Sequence, residues 1–174
     1  YSWNIFYSPL TAYLPLIFKM FTSSYEVVFK LFMILVTFLT GIAMYEFIKK
    51  VTKNRYAGLL GAVLYILAPY RLTDMYMRIA ISELASFIFI PVVFHGMYNI
   101  FNCEEKNMQK SLVLALGAIG LILTHTVITM YTAIFCMIYV IINIKTLKEK
   151  QVWKMIGINI LLILLLTSFY LLPM

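Results

Sequence analysis

An apolar run of 34 residues, 111–144, constrains the fold of this chain more than any other stretch. As a single helix it would be about 51 Å long at 1.5 Å per residue, whereas the hydrocarbon core of a bilayer is only about 30 Å thick. The middle of the run is polar, with Thr124, His125, Thr126 and Thr129 close together. We therefore predict two helices, 111–123 and 126–144, that are separated by a break near His125.

The composition indicates that this chain folds in a lipid bilayer. Of its 174 residues, 63% are hydrophobic and only 12% are charged, and the mean hydropathy is +0.93. A soluble domain is about half apolar and about a quarter charged. The apolar runs are long and do not alternate as barrel strands do. The prediction is an all-α fold, a polytopic transmembrane helical bundle.

Four further apolar stretches, 26–48, 57–69, 84–101 and 155–172, bring the predicted total to about six spans. With six crossings, the two most basic loops, 49–55 and 145–154, lie on the same side of the membrane. The positive-inside tendency makes that side cytoplasmic. The net charge of +7 is therefore explained by membrane orientation, and nucleic acid is not an expected partner.

The chain is interpreted as a single membrane domain over residues 1–174. Residues 1–24 are aromatic and contain Pro9 and Pro15, which favours an outer loop with short surface helices. Residues 25–174 hold the transmembrane helices. The chain starts without Met and ends next to an apolar run, so we expect it to be a fragment of a longer protein. Cys103 and Cys136 indicate neither a disulfide framework nor a metal site.

Charged residues concentrate between the second and third predicted spans. On an α-helix, Arg71, Asp74 and Arg78 would share one face, and Glu83 would join them only if the chain bends near Ser82. Charge at membrane depth is expensive unless it is paired or used. One interpretation is a self-paired ladder in which Asp74 bonds both arginines. The other is an anion site, because two arginines and one aspartate leave a positive excess and arginine binds phosphate as a fork.

Three segments are expected to open on the outer side and line one recessed cavity: the N-terminal loop, the 70–83 loop and the His125 turn. Within it, Tyr70 and Tyr76 either shape the pocket or belong to the interfacial aromatic belt. His125 either contacts a phosphate or carries a proton, or it is simply hydrogen-bonded at the interface. No nucleophile–base pair, metal-ligand spacing or glycine-rich phosphate loop is present in the sequence.

Three sequence blocks carry a resemblance to a known family: YSPLTAYLPLIF, LLGAVLYILAPYRLTDMYMRIAISELASFIFIPVVF and LILTHTVIT. They resemble a family of bacterial membrane proteins named the 6-pyruvoyl-tetrahydropterin synthase-related membrane domain. That family is similar to GT-C glycosyltransferases and their YfhO-like relatives. The most specific pattern comprises Pro69, Tyr70, Arg71, Asp74, Tyr76, Arg78 and Glu83. The Thr124–His125 pair is the second signature.

The resemblance implies a GT-C-like fold in the bacterial cytoplasmic (inner) membrane. It also implies transfer of a sugar from a polyprenyl-phosphate donor, a lipid-linked sugar, on the outer face. Arg71, Arg78, Asp74, Glu83, His125, Tyr70 and Tyr76 would then form the substrate- and phosphate-binding site.

In such enzymes an acid in the first outer loop serves as base or as ligand of a divalent cation. Residues 1–24 contain no Asp or Glu, so the catalytic acid is expected upstream of Tyr1. The cofactor is left open between none and a divalent cation. The zinc chemistry of the soluble pterin synthases is not expected from His95 and His125, which lie far apart in apolar surroundings. A transporter or flippase of a lipid-linked or anionic solute, and a non-catalytic membrane subunit, are the alternatives.

Overall fold

The computed structural model describes residues 9–102 and 107–172, and every regular element in these ranges is helical. The α-helices are α1 (Pro9–Tyr13), α2 (Tyr25–Thr52), α3 (Arg55–Ile66), α4 (Pro69–Thr73), α5 (Ile81–Phe101), α6 (Met108–Ser111), α7 (Val113–Ile122), α8 (Thr126–Ile142) and α9 (Lys150–Leu171). Leu14–Met20 and Ile144–Lys148 are 3₁₀ segments, and a π-helical turn, Asp74–Arg78, follows α4. Cys103, which the sequence places in a polar loop, lies outside the described residues.

Three helices of the described part, α2, α5 and α9, are long and apolar enough to cross a membrane. A fourth span results if α3 and residues 69–78, which meet at 44°, count as one bent segment. The segment Met108–Ile122 and helix α8 are apolar but shorter. The helical membrane architecture is thus confirmed with three to four candidate spans, whereas six crossings stay a prediction.

The long apolar run is broken where its polar middle predicted. Helix α7 ends at Ile122, α8 begins at Thr126, and His125 between them has extended backbone. The His125 ring accepts a hydrogen bond at Nδ1 from the Ile128 backbone N–H at 3.3 Å, so it caps α8. The predicted break near His125 is therefore confirmed.

Helix α5 lies at the centre of the described part and buries 61% of its apolar window, far more than α2 or α9. One core cluster joins α5 to α7 and α9 and includes Met97, Leu121 and Met155. A second cluster joins α5 to α2 through Leu84 and Phe32. The position of α5 therefore decides how the two halves of the bundle are arranged.

Glycines allow α5 and α7 to approach closely. A Cβ on Gly96 would fall well inside 3.0 Å of the Leu114 backbone, and one on Gly117 would lie 2.7 Å from the Val93 backbone nitrogen. Lipid chains are as apolar as leucine, so helices in a membrane associate through such close packing rather than through the hydrophobic effect. Elsewhere large side chains point outward, as with Phe38, 65% exposed, and Leu165, 61% exposed, and such a surface suits contact with lipid.

A buried amide ties α9 to the centre. Asn159 is fully buried, accepts a hydrogen bond from the Ala115 backbone N–H at 2.9 Å and donates to Ser111 Oγ at 3.3 Å. It also donates to the Met155 carbonyl at 2.9 Å. Polar side chains hydrogen-bonded across helices fix a register that apolar contacts alone leave loose.

We expect Gly96→Ala to destabilise the domain by about 1–3 kcal/mol, because the added methyl group must displace backbone rather than a flexible side chain. The matched control is Gly157→Ala. A Cβ on Gly157 would meet no neighbouring group within 4 Å, so this change should leave the stability unchanged or raise it by about 0.5–1 kcal/mol. Thermal unfolding of both variants in detergent measures the difference. Equal melting temperatures would show that the α5–α7 crossing is not tightly packed.

Candidate functional site

The charged segment between α3 and α5 is shaped by an unusual bend. Residues Asp74–Arg78 form a π-helical turn, and Ile79 follows in the left-handed region with φ 52° and ψ 42°. A β-branched residue rarely adopts this conformation. The Ala80 backbone N–H closes the turn by donating to the Asp74 carbonyl at 3.0 Å. The chain thus bends at Ile79, three residues before the expected position at Ser82, and this bend directs Glu83 back towards Arg78.

Four side chains meet at the bend: Tyr70, Asp74, Arg78 and Glu83, here named the Arg78 cluster. Arg78 Nη1 lies 2.7 Å from Asp74 Oδ1, 3.2 Å from Glu83 Oε2 and 3.3 Å from the Tyr70 hydroxyl oxygen. The Tyr70 hydroxyl in turn donates a hydrogen bond to Glu83 Oε1. The predicted pairing of Asp74 with Arg78 is therefore confirmed, and Glu83 shares their site.

The cluster combines buried acids with a half-exposed base. The side chain of Asp74 is fully buried and that of Glu83 is 7% exposed, whereas that of Arg78 is 52% exposed. All three contacts that Arg78 makes within residues 9–102 and 107–172 use Nη1. Its Nε and Nη2 donors are left for a group from outside this part of the chain. Asp74 Oδ2 is buried and has no hydrogen-bond partner among the described residues.

Arg71 lies apart from this cluster, contrary to the expectation of a shared face. Its side chain is 1% exposed, and it donates from Nη1 to the Ile66 carbonyl at 3.1 Å and from Nη2 to Thr37 Oγ1 at 2.8 Å. No ion pair joins Arg71 to Asp74 in the described structure. The π-helical turn closes over more residues than an α-helical one, so Arg78 is not aligned with Arg71 as α-helical spacing predicts.

The charge balance of the segment also differs from the expectation. The bend adds Glu83 to the segment's charged group, so two arginines are matched in number by two carboxylates, and both carboxylates pair with Arg78. The predicted positive excess is therefore absent from the group as a whole. It persists only locally, around Arg71, whose neighbours are a hydroxyl and a carbonyl.

The two remaining predicted site residues flank the cluster. Tyr76 is 73% exposed and forms no hydrogen bond within the described part of the chain. His125 lies within electrostatic reach of Asp74, so the α7–α8 break is close to the Arg78 cluster. The structure thus brings His125 near the cluster and turns Tyr76 outward.

The N-terminal segment connects the other two loops. Thr11 Oγ1 on α1 lies 2.8 Å from Ser82 Oγ at the start of α5. The adjacent Leu10 backbone N–H donates to the Leu123 carbonyl at 3.3 Å, in the break before α8. The three segments that were expected to line one cavity therefore meet, although residues 1–8 of the first lie outside the described residues.

Sequence reasoning did not assign roles to Thr11, Thr37 or Ser82 in binding the neighbouring segments. Each is a hydroxyl residue in or beside an apolar stretch, and that is the signal that could have singled them out. Within the described ranges, no three His, Cys, Asp or Glu side chains are grouped so that they could hold a metal ion.

Comparison with known proteins decides the family. Residues 5–174 match the model of the 6-pyruvoyl-tetrahydropterin synthase related domain, described as a membrane protein. The chain belongs to this PTPS-related membrane family. The predicted family is thereby confirmed, and the GT-C and YfhO-like affinity stays a prediction.

One relative of this PTPS-related chain is a protein of Lactococcus lactis subsp. cremoris (strain MG1363), described as an uncharacterized protein. The two are 31% identical over 182 residues, which cover 100% of this chain and 29% of the relative. The chain thus spans less than a third of the relative's length. No solved structure matches the chain.

We expect Arg71→Ala to destabilise this PTPS-related domain by about 2–5 kcal/mol, as large-to-small changes at buried sites do. The substitution also leaves the Thr37 hydroxyl and the Ile66 carbonyl without their partner. Arg55→Ala is the control, because Arg55 is exposed at the start of α3 and should change stability by no more than about 0.5 kcal/mol. Melting temperatures in detergent compare the two. A similar small effect for both would show that Arg71 does not hold α2, α3 and α4 together.

Proposed function

We propose that this domain is the membrane part of a GT-C-like glycosyltransferase. The enzyme would transfer a sugar from a polyprenyl-phosphate donor on the outer face of the bacterial cytoplasmic membrane. In this proposal the Arg78 cluster binds the phosphate of the donor. One observation carries it: Arg78 is half exposed and uses only Nη1 for its contacts with described residues.

The free edge of Arg78 has the geometry that a phosphate requires. Nε and Nη2 lie on one side of the planar guanidinium and can donate two parallel hydrogen bonds to an anionic oxygen pair. Asp74 and Glu83 hold the opposite Nη1 and fix the orientation of the fork. Binding would therefore need little reorganisation of the guanidinium.

The two carboxylates also limit what can bind. Asp74 and Glu83 repel an anion that approaches on their side, so a phosphate is favoured only at the exposed edge of Arg78. His125 accepts a hydrogen bond at Nδ1 from the Ile128 backbone N–H, so its Nε2–H would be left to donate to the phosphate. Tyr70, whose hydroxyl bridges Arg78 and Glu83, positions both. Tyr76 is exposed beside them and would contact the sugar or the lipid.

The roles of the acids follow from this arrangement. Asp74 and Glu83 act by positioning Arg78, and the acid that serves as general base or as ligand of a divalent cation is expected upstream of Tyr1. The match covers 29% of the Lactococcus relative, so a protein of that length has room for such an acid outside the matched region.

The substitution Arg78→Lys in the full-length protein tests this function. Lysine keeps the positive charge that Asp74 and Glu83 require but loses the planar fork, so the fold should persist while phosphate binding weakens. We expect reduced cell-envelope glycan and about tenfold or more weaker binding of polyprenyl phosphate. Arg55→Lys, at the opposite end of α3, serves as the matched control.

Unchanged glycan and unchanged polyprenyl-phosphate binding in the Arg78→Lys variant, at a normal protein level, would contradict the proposed role of Arg78. Loss of binding with unchanged glycan would instead favour the transport of a lipid-linked solute over sugar transfer.

A further inference from the structure

A groove runs between α2 and α3, and the residues that line it do not include those of the Arg78 cluster. Its volume is about 680 Å³, within the range of about 300–1,000 Å³ that is usual for small-molecule sites. Its lining includes Thr37 and Gly41 of α2, Ala62 and Ile66 of α3, and Met75 of the π-helical turn. Thr37 and Tyr45 are the lining residues that carry a hydroxyl group, and the other side chains of the lining are apolar.

The groove is accessible from the side of the bundle. Its rim includes Phe38 and Leu59, which are 65% and 59% exposed on the apolar surface of α2 and α3. A hydrocarbon chain could therefore enter from the bilayer without crossing a polar region. The small side chains at positions 41 and 62 leave the space that such a chain would occupy.

A buried cation lies directly behind the wall of this groove. The two groups that accept hydrogen bonds from Arg71, Thr37 Oγ1 and the Ile66 carbonyl, belong to residues that line it. Arg71 is 1% exposed, forms no ion pair within the described structure, and its Nε has no hydrogen-bond partner there. A buried charge without a counter-ion is costly, and in a membrane protein it marks a functional site.

The combination of an apolar groove with an uncompensated arginine at its wall selects for an amphiphile that carries a negative charge. We infer that the α2–α3 groove binds the hydrocarbon chain of an anionic phospholipid, whose phosphate pairs with Arg71 after the Thr37 side chain rotates aside. The lipid supplies the missing counter-ion, and the groove supplies contacts for its chain. This site is separate from the Arg78 cluster and does not rest on the proposed function.

A second groove of the bundle provides the comparison. It has nearly the same volume, about 670 Å³, and lies between α5, α7, α8 and α9. No charged side chain lines it, and the hydroxyls of Thr129 and Thr132 at its wall donate to the His125 and Ile128 carbonyls. This groove therefore offers an anionic lipid no electrostatic stabilisation beyond that of the surrounding bilayer.

Lipid binding to the full-length protein in detergent tests this inference, with phosphatidylglycerol as probe and phosphatidylcholine of identical chains as the neutral comparison. We expect phosphatidylglycerol to raise the melting temperature more than phosphatidylcholine. Gly41→Leu should abolish the difference by filling the groove, because a Cβ at position 41 meets only the flexible end of the Ile66 side chain, at 2.8 Å. Ala133→Leu, which fills the second groove, should preserve it.

Two further variants test the charge of Arg71 independently of the space in the groove. Arg71→Gln should weaken phosphatidylglycerol binding about tenfold or more, measured as affinity by native mass spectrometry so that its lower stability does not enter. Arg55→Gln should leave that affinity unchanged, because Arg55 is exposed at the far end of α3 and takes no part in the groove.

Equal stabilisation by both lipids would overturn the inference. So would wild-type phosphatidylglycerol affinity in Arg71→Gln or Gly41→Leu. If inorganic phosphate alone stabilised the protein as much as phosphatidylglycerol does, the groove would have no part in binding, and the inference would likewise fail.

Discussion

The cost of placing charge inside an apolar bundle governs this structure. Asp74 and Glu83 are buried beside each other, and a single guanidinium nitrogen of Arg78 compensates both. That pairing requires a sharp reversal of the chain, which the π-helical turn and the left-handed Ile79 provide. Backbone strain of this kind persists only where surrounding contacts enforce it. The ion pairs and the bend therefore stabilise each other, and the start of α5 depends on both.

Helix α5 carries the effect of that bend into the rest of the bundle. It begins only three residues after Arg78 and packs against α2 on one side and α7 and α9 on the other. Glycines on α5 and α7 bring these two helices into near-backbone contact, so small shifts of α5 cannot be absorbed locally. The packing of the core consequently depends on the geometry of the charged segment.

Properties that depend on local spacing could be predicted from the sequence. The break near His125 follows from a run too long for one span with a polar centre, and the Asp74–Arg78 pair follows from a separation of four residues. Family membership followed from local motifs as well. The number of membrane crossings needs more than spacing, because several helices are shorter than a full span.

Properties that depend on backbone irregularity or on distant helices could not be predicted. Nothing in the letters around Ile79 indicates a left-handed residue, and without that bend Glu83 would lie on another face. Arg71 bonds to Thr37, 34 residues away, so its separation from Asp74 depends on how α2 packs. A helical wheel assumes one uniform helix, and this segment changes from α- to π-helical within ten residues.

The small helix α1 has a mechanical consequence. Its backbone is bonded to the break before α8, and the hydroxyl of Thr11 is bonded to the first turn of α5. It thus connects two loops that no continuous helix joins. A displacement of α1 would therefore act on Leu123 and Ser82, and so on both loops, at the same time.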